Sequence, residues 1–295
     1  MTIVDAYQKL VLDDVKTYAG ICRPVRSSIP ARIFIRKLPV NKLHPNPEDE
    51  FCDPKIGPSY PIVTNYIQEF QKGGRQNKLP FGQGLTVEKM STGGYMLLNG
   101  HHRWLAANIL GHKKVQVNVV NAISETEVIS AINSSDKRMC VSFDLDEVLL
   151  TDRHSELADH RLIFPYNFIF RRTLRKHAGN LINELQGLGF DVWVYSGSAV
   201  SREEVHRLMS LHKAKVDGMV MLLKGKSSSN LQQAFRDKYE LSLHIDNENL
   251  LWVNTRTREY DSIPVAGGAA WAADALAKAR GLEELKRIAE ARKDA

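Results

Sequence analysis

Val141-Ser142-Phe143-Asp144-Leu145-Asp146-Glu147-Val148-Leu149-Leu150 decides how this chain is read. Apolar and β-branched residues lead into two aspartates one residue apart, and an apolar run follows. A buried strand ending in Asp-x-Asp puts both carboxylates at its C-terminal edge, where open α/β sheets bind ligands. Alternate residues of a strand face opposite ways, so the two acids converge only if the chain curls just past the strand end. Two close carboxylates repel, and a divalent cation between them removes the repulsion. Alone, the stretch reads equally well as a strand followed by an acidic turn.

The residues downstream decide between these. A helix ending near Leu188-Gly189 precedes Phe190-Asp191-Val192-Trp193-Val194-Tyr195-Ser196, a strand running into a small-residue turn. A helix over 203–211 leads to a strand over 218–223. Lys224-Gly225-Lys226 then precedes a helix over 230–239, and Leu243-His244-Ile245-Asp246 is a further apolar strand ending in an acid. This alternation predicts a parallel, doubly wound sheet with its polar strand ends on one edge.

The order of motifs resembles the haloacid dehalogenase superfamily over about residues 139–255. The resemblance implies a phosphatase working through an aspartyl phosphate. Asp144 would be the nucleophile, and Asp146 the acid that protonates the leaving oxygen and later activates water. Ser196 and Lys226 (or Lys224) would hold the phosphoryl oxygens. Asp144, Asp146 through its carbonyl, and Asp246 would bind Mg²⁺. The intervals between motifs leave no room for a large cap. Residues 151–172 read as a small flap with Arg153, Arg161, Arg171 and Arg172 near its ends, and residues 269–291 as a C-terminal helix.

Upstream, residues 1–30 read as an N-terminal extension with a helix over 4–18 and a Pro- and Ser-containing tether. A strand is expected over 33–38, an irregular acidic loop over 43–50 and a helix over 59–72. Strands are expected over 85–89, 94–98 and 113–120, with a short helix over 123–133 and a linker over 134–138. The sharpest feature is Asn99-Gly100-His101-His102-Arg103-Trp104, an apolar strand turning at a glycine into an Ala- and Leu-rich helix capped by Gly111. Helix-start amides favour phosphate, and His101, His102 and Arg103 would add side-chain donors.

That box resembles the ParB/sulfiredoxin-like fold over about residues 31–121, and most nearly its Gly-His-His-Arg form in free serine kinases. His101 stands where sulfiredoxins carry a catalytic cysteine, which argues against that activity. Partitioning proteins usually have acidic and arginine residues in place of His101-His102, which argues against centromere binding. The resemblance implies a nucleotide phosphate, of ATP or ADP, on Asn99, Gly100, His101, His102 and Arg103. It also implies a hydroxyl-activating role for Glu48, in a domain that is either catalytic or only binding.

The chain of 295 residues suits two domains: 31–133, a small mixed α+β nucleotide-binding domain, and 139–295, the α/β phosphatase domain. Its 43% hydrophobic content is that of a globular protein, and no apolar run reaches membrane-spanning length. The first residues lack a secretory signal's pattern, and the three scattered cysteines fit a reducing cytoplasm. The net charge of +6 suits anionic partners: a phosphorylated substrate, a nucleotide or a nucleic acid. The sequence thus predicts a cytoplasmic Mg²⁺-dependent phosphatase with a nucleotide-binding first domain. The alternatives are a bifunctional kinase and phosphatase, acting on a small hydroxyl metabolite or on nucleic-acid ends, and a DNA-binding, nucleotide-sensing regulator.

Overall fold

The computed structural model describes residues 3–18, 20, 23–72, 84–170, 172–197, 201–221, 229–245, 249–254, 259–264 and 270–292. The chain divides into two compact units, Met1–Ala122 and Ile123–Ala295. Among the described residues, no helix is long and apolar enough to cross a membrane.

The first unit carries helices α1 (Ile3–Tyr18), α2 (Ile29–Phe34), α3 (Tyr60–Lys72) and α4 (His101–Ile109). Its strands are β1 (Lys37–Pro39), β2 (Leu43–Pro45), β3 (Leu85–Lys89), β4 (Tyr95–Asn99) and β5 (Lys114–Val120). They form one mixed sheet in the order β1-β5-β3-β4-β2. Strands β1/β5 and β3/β4 are antiparallel, and β5/β3 and β4/β2 are parallel. Val87, Leu97, Val117 and Val119 from the sheet pack with Trp104, Leu105, Ala106 and Ala107 of α4 and with Val63 and Phe70 of α3.

Two expectations fail here. The strand expected over 33–38 gives way to α2, because Ser28 caps a helix, its Oγ accepting the Ala31 N–H at 3.4 Å with Pro30 in the first turn. The strand begins only at Lys37. The loop expected over 43–50 opens instead with β2, whose Leu43 is buried in the core beside β4.

The second unit comprises helices α5 (Glu125–Ser134), α6 (Tyr166–Ile169), α7 (Ala178–Gly187), α8 (Arg202–Leu211), α9 (Ser229–Lys238) and α10 (Trp271–Ala291). Its strands are β6 (Met139–Asp144), β7 (Leu150–Asp152), β8 (Arg172–Leu174), β9 (Phe190–Ser196), β10 (Gly218–Met221), β11 (Leu241–Ile245), β12 (Asn249–Asn254) and β13 (Glu259–Pro264). The main sheet runs β10-β9-β6-β11-β12-β13, and β7 and β8 pair as a separate two-stranded ribbon. Strands β10, β9, β6 and β11 are mutually parallel, as expected. The sheet is not parallel throughout, because β12 and β13 return antiparallel. Three and four residues join them to the preceding strands, and a parallel crossover needs a dozen or more.

Period-two alternation divides the core. Met139, Val141, Phe143, Phe190, Val192, Val194, Leu243 and Ile245 face one layer with α7, α8 and α10. Cys140, Trp193 and Val220 face the other, with Val128 and Ile132 of α5 and Leu231 of α9. Helix α5, expected with the first domain, therefore packs in the second unit. A buried polar chain crosses that second face. Trp193 Nε1 donates to the Tyr239 hydroxyl at 2.9 Å, and that hydroxyl donates to Asp191 Oδ2 at 2.8 Å. Lys137 Nζ lies 3.6 Å from Asp191 Oδ1, so the buried acid has a counter-charge.

Candidate functional site

In the second unit, counted in chain order along the parallel part, the sheet reads third, second, first, fourth. The direction of addition reverses between β6 and β11, the place where open α/β sheets bind ligands at their strands' C-terminal ends. Strand β6 ends at Asp144, opposite Tyr195 of β9, so Ser196 is the next residue along. Asp144 Oδ1 accepts the Glu147 N–H at 2.7 Å and caps a single π-turn over 145–149. That turn is the curl past the strand end that the sequence demanded. Within it Leu145, Val148 and Leu149 are buried while Asp146 stays partly open.

Asp146 is held on three sides. Its Oδ2 accepts the Ser196 hydroxyl at 2.7 Å, and its Oδ1 accepts Arg172 Nη1 at 2.8 Å. Arg172 Nη2 bonds the Asp146 backbone carbonyl and reaches the Leu150 carbonyl at 3.3 Å. Ser196 is buried, and in this structure its hydroxyl donates to Asp146. Arg172 also takes up the carbonyl assigned to Mg²⁺. Of the described oxygens assigned to magnesium, the Asp146 carbonyl is occupied by the Arg172 guanidinium, and the Asp144 carboxylate accepts the Glu147 N–H. Lys224, Lys226 and Asp246, the other expected members, lie outside the described residues. Arg172 was visible in the sequence only as a basic residue of the flap; its role depends on the β7–β8 ribbon, which returns it to the strand end.

In the first unit, Gly100 sits between β4 and α4 with φ +95°. This left-handed conformation suits glycine alone. A Cβ there would meet Leu85 Cδ2 at 2.6 Å and Arg103 Nη2 at 3.3 Å. Half-buried Arg103 lies with its guanidinium carbon 5.7 Å from the centre of the Tyr66 ring, and burial pulls its pKa below the ordinary value. Water solvates such a cation poorly, so an anion gains more from it.

The two histidines do something other than expected. His101 Nε2 accepts the Asn46 N–H at 3.2 Å, and His102 Nε2 accepts the Ser59 N–H at 3.0 Å. With Nε2 accepting, the ring proton of each sits on Nδ1; that of His101 faces Asp49 Oδ2 at 3.5 Å. Phe51 packs against both rings, with centroids 5.4 and 5.1 Å away. The imidazoles therefore fasten the 46–59 loop to the start of α4, and their Nε2 atoms are not phosphate donors. Glu48 is exposed on that loop, its N–H bonded to Asn46 Oδ1 at 3.1 Å. Asn99 ends β4 opposite Thr86.

No protein-family model matches the chain, and no curated protein is significantly similar to it in sequence. Among solved structures, it is similar to the C-terminally truncated chromosome-partitioning protein ParB from Caulobacter crescentus. In the complex with the centromeric parS site the identity is 20% and the TM-score 0.23, over 34% of this chain and 49% of that one. In the complex with CTP-gamma-S the identity is 21% and the TM-score 0.23, over 35% of this chain and 55% of that one. The chain thus spans about half the length of each of these proteins.

Proposed function

We propose that the second unit hydrolyses phosphomonoesters through Asp144, and that the first unit binds a nucleotide at the Gly100–Arg103 corner. The observation that carries the first part is the meeting of Asp144, Asp146, Ser196 and Arg172 at the switch point of a parallel sheet. In this reading the Asp144 carboxylate attacks phosphorus, the P–O bond to the leaving group breaks, and the departing oxygen takes the proton of Asp146, which enters this step as the acid and is left as the carboxylate. Water then cleaves the aspartyl phosphate. Asp146 accepts a hydrogen bond on each oxygen, the state of the base that deprotonates that water. Arg172 contributes the positive charge at the strand end. These roles are those of the haloacid dehalogenase superfamily, which the motif order resembles.

The second part rests on the left-handed glycine, the helix start behind it and desolvated Arg103. The ligands of the partitioning-protein structures are not carried across an overlap of this extent. A nucleotide-sensing, DNA-binding regulator is the competing reading of the same corner, with the second unit no longer an enzyme.

One experiment separates them. The full chain is screened for phosphate release from phosphorylated metabolites, nucleotides and oligonucleotide ends, alongside Asp144→Asn, with nucleotide binding followed by calorimetry. Release that falls by several decades in Asp144→Asn, with nucleotide affinity unchanged, supports the enzyme. Nucleotide binding without any release supports the regulator. Failure to bind any nucleotide at millimolar concentration removes the reading of the first unit.

A further inference from the structure

The flap between β7 and β8 carries Asp159 and His160, and His212 follows the end of α8, more than fifty residues later. The fold brings the three together. Asp159 Oδ2 lies 3.0 Å from His160 Nδ1 and 2.8 Å from His212 Nδ1, and the two rings are 4.2 Å apart at their centroids. One potential ligand atom from each residue falls within 4.8 Å of the others. From these residues we infer a binding site for a first-row transition cation, zinc foremost, that clasps the flap to the end of α8.

The donor set is two neutral imidazoles and one carboxylate, which suits zinc and its neighbours rather than magnesium or calcium. Metal–ligand bonds of about 2.0–2.2 Å in tetrahedral geometry set neighbouring ligands about 3.3–3.6 Å apart. The two oxygen–nitrogen separations, 3.0 and 2.8 Å, are hydrogen-bond lengths that open by about 0.3–0.8 Å to admit the ion. Without an ion, a proton on each Nδ1 holds the cluster together. When the ion enters, each proton moves to Nε2 of the same ring and no charge need leave.

His212 is prepared for that exchange. Its side chain is fully buried, and its Nε2 lies 3.0 Å from the Thr173 hydroxyl, which can accept the relocated proton and fix the ring's orientation. His160 and Asp159 are open enough for an ion to enter. A cavity of about 300 Å³ lined by Arg153, Ser155, Asp159, His160 and Arg161 lies beside them. It leaves the fourth coordination position to water or to an anion drawn by the two arginines. The site is separate from the Asp144 strand end, yet Thr173 follows Arg172 in β8. An ion held here orders the same strand that places Arg172 on Asp146.

The test uses the full chain without a polyhistidine tag, stripped with chelator and titrated with Co²⁺, whose visible spectrum reports a tetrahedral site. One equivalent should give that spectrum, and Zn²⁺ should displace it. Zn²⁺ should also slow hydrogen exchange across residues 153–170. His160→Ala removes a half-exposed side chain, so the fold survives; it should weaken Co²⁺ binding at least about 100-fold and abolish the protection. Thr173→Val should weaken it about 10–100-fold, and Asp144→Asn should leave it unchanged. No spectrum at one equivalent overturns the inference, as does a spectrum that persists in His160→Ala or disappears in Asp144→Asn.

Discussion

Gly100→Ala probes the corner between β4 and α4 with a single methyl group. The backbone at φ +95° costs an alanine about 1–2 kcal/mol more than glycine. The new Cβ would stand 2.6 Å from Leu85 Cδ2, where carbon atoms prefer about 3.5–4.0 Å. Leu85 is almost completely buried and cannot swing away freely, so overpacking adds about 1–3 kcal/mol. Together the variant should destabilise the β4–α4 junction by about 2–5 kcal/mol. At about 1.4 kcal/mol per decade, that is roughly one and a half to three and a half decades in the opening equilibrium of α4. Hydrogen exchange with mass spectrometry reads it directly, as faster exchange in peptides spanning 101–110 with little change in those spanning 178–196. Because the methyl group would also meet Arg103 Nη2 at 3.3 Å, the nucleotide affinity proposed for this corner should fall in parallel. Exchange at wild-type rates with nucleotide affinity intact would refute both the left-handed turn and the close approach.

Tyr239→Phe leaves Trp193 Nε1 and Asp191 Oδ2 each without its buried partner, and should destabilise the second unit by about 2–5 kcal/mol in denaturant unfolding. A loss below about 1 kcal/mol would mean that water enters and replaces the hydroxyl. Burial raises the thiols of Cys52 and Cys140 from 9.0 to about 12, so iodoacetamide at pH 8 should leave both unmodified until the chain is unfolded. A thiol pKa raised in the folded state stabilises fully below pH 9, and that contribution is lost as pH climbs from 9 toward 12. The melting temperature should therefore fall across that window.

The four parallel strands of the second unit were legible because their residues are largely apolar and each follows a helix with its own stop. Strand β6 and the turn after it follow from Asp144-Leu145-Asp146 between apolar runs. The antiparallel β12 and β13 were missed, since short connections rather than periodicity set their direction. At α2, the capping of Ser28 with Pro30 outweighed the β-branched residues Ile33 and Ile35. The corner at Gly100 was legible as a turn, but the task of the two imidazoles was not. It depends on Asn46 and Ser59, more than forty residues earlier, whose amides the chain brings back. Arg172 and His212 show the same limit: nothing in the spacing of Asp159, His160 and His212 marks a cluster, and only the β7–β8 ribbon assembles it.

Strand β8 is three residues long, and each has a different obligation. Arg172 reaches Asp146, Thr173 faces His212, and Leu174 is sealed in the core. Alternation forbids trading these roles between neighbours, because a shift by one residue would turn Arg172 and Leu174 together to the face that Thr173 now occupies, taking one off Asp146 and the other out of the core. Such a strand tolerates neither insertion nor deletion. Relatives of this chain should therefore vary the length of the flap on either side of Asp159-His160 while the three residues of β8 stay fixed in number and order. Drift in the flap and constancy in the strand would then sit one residue apart in the same gene.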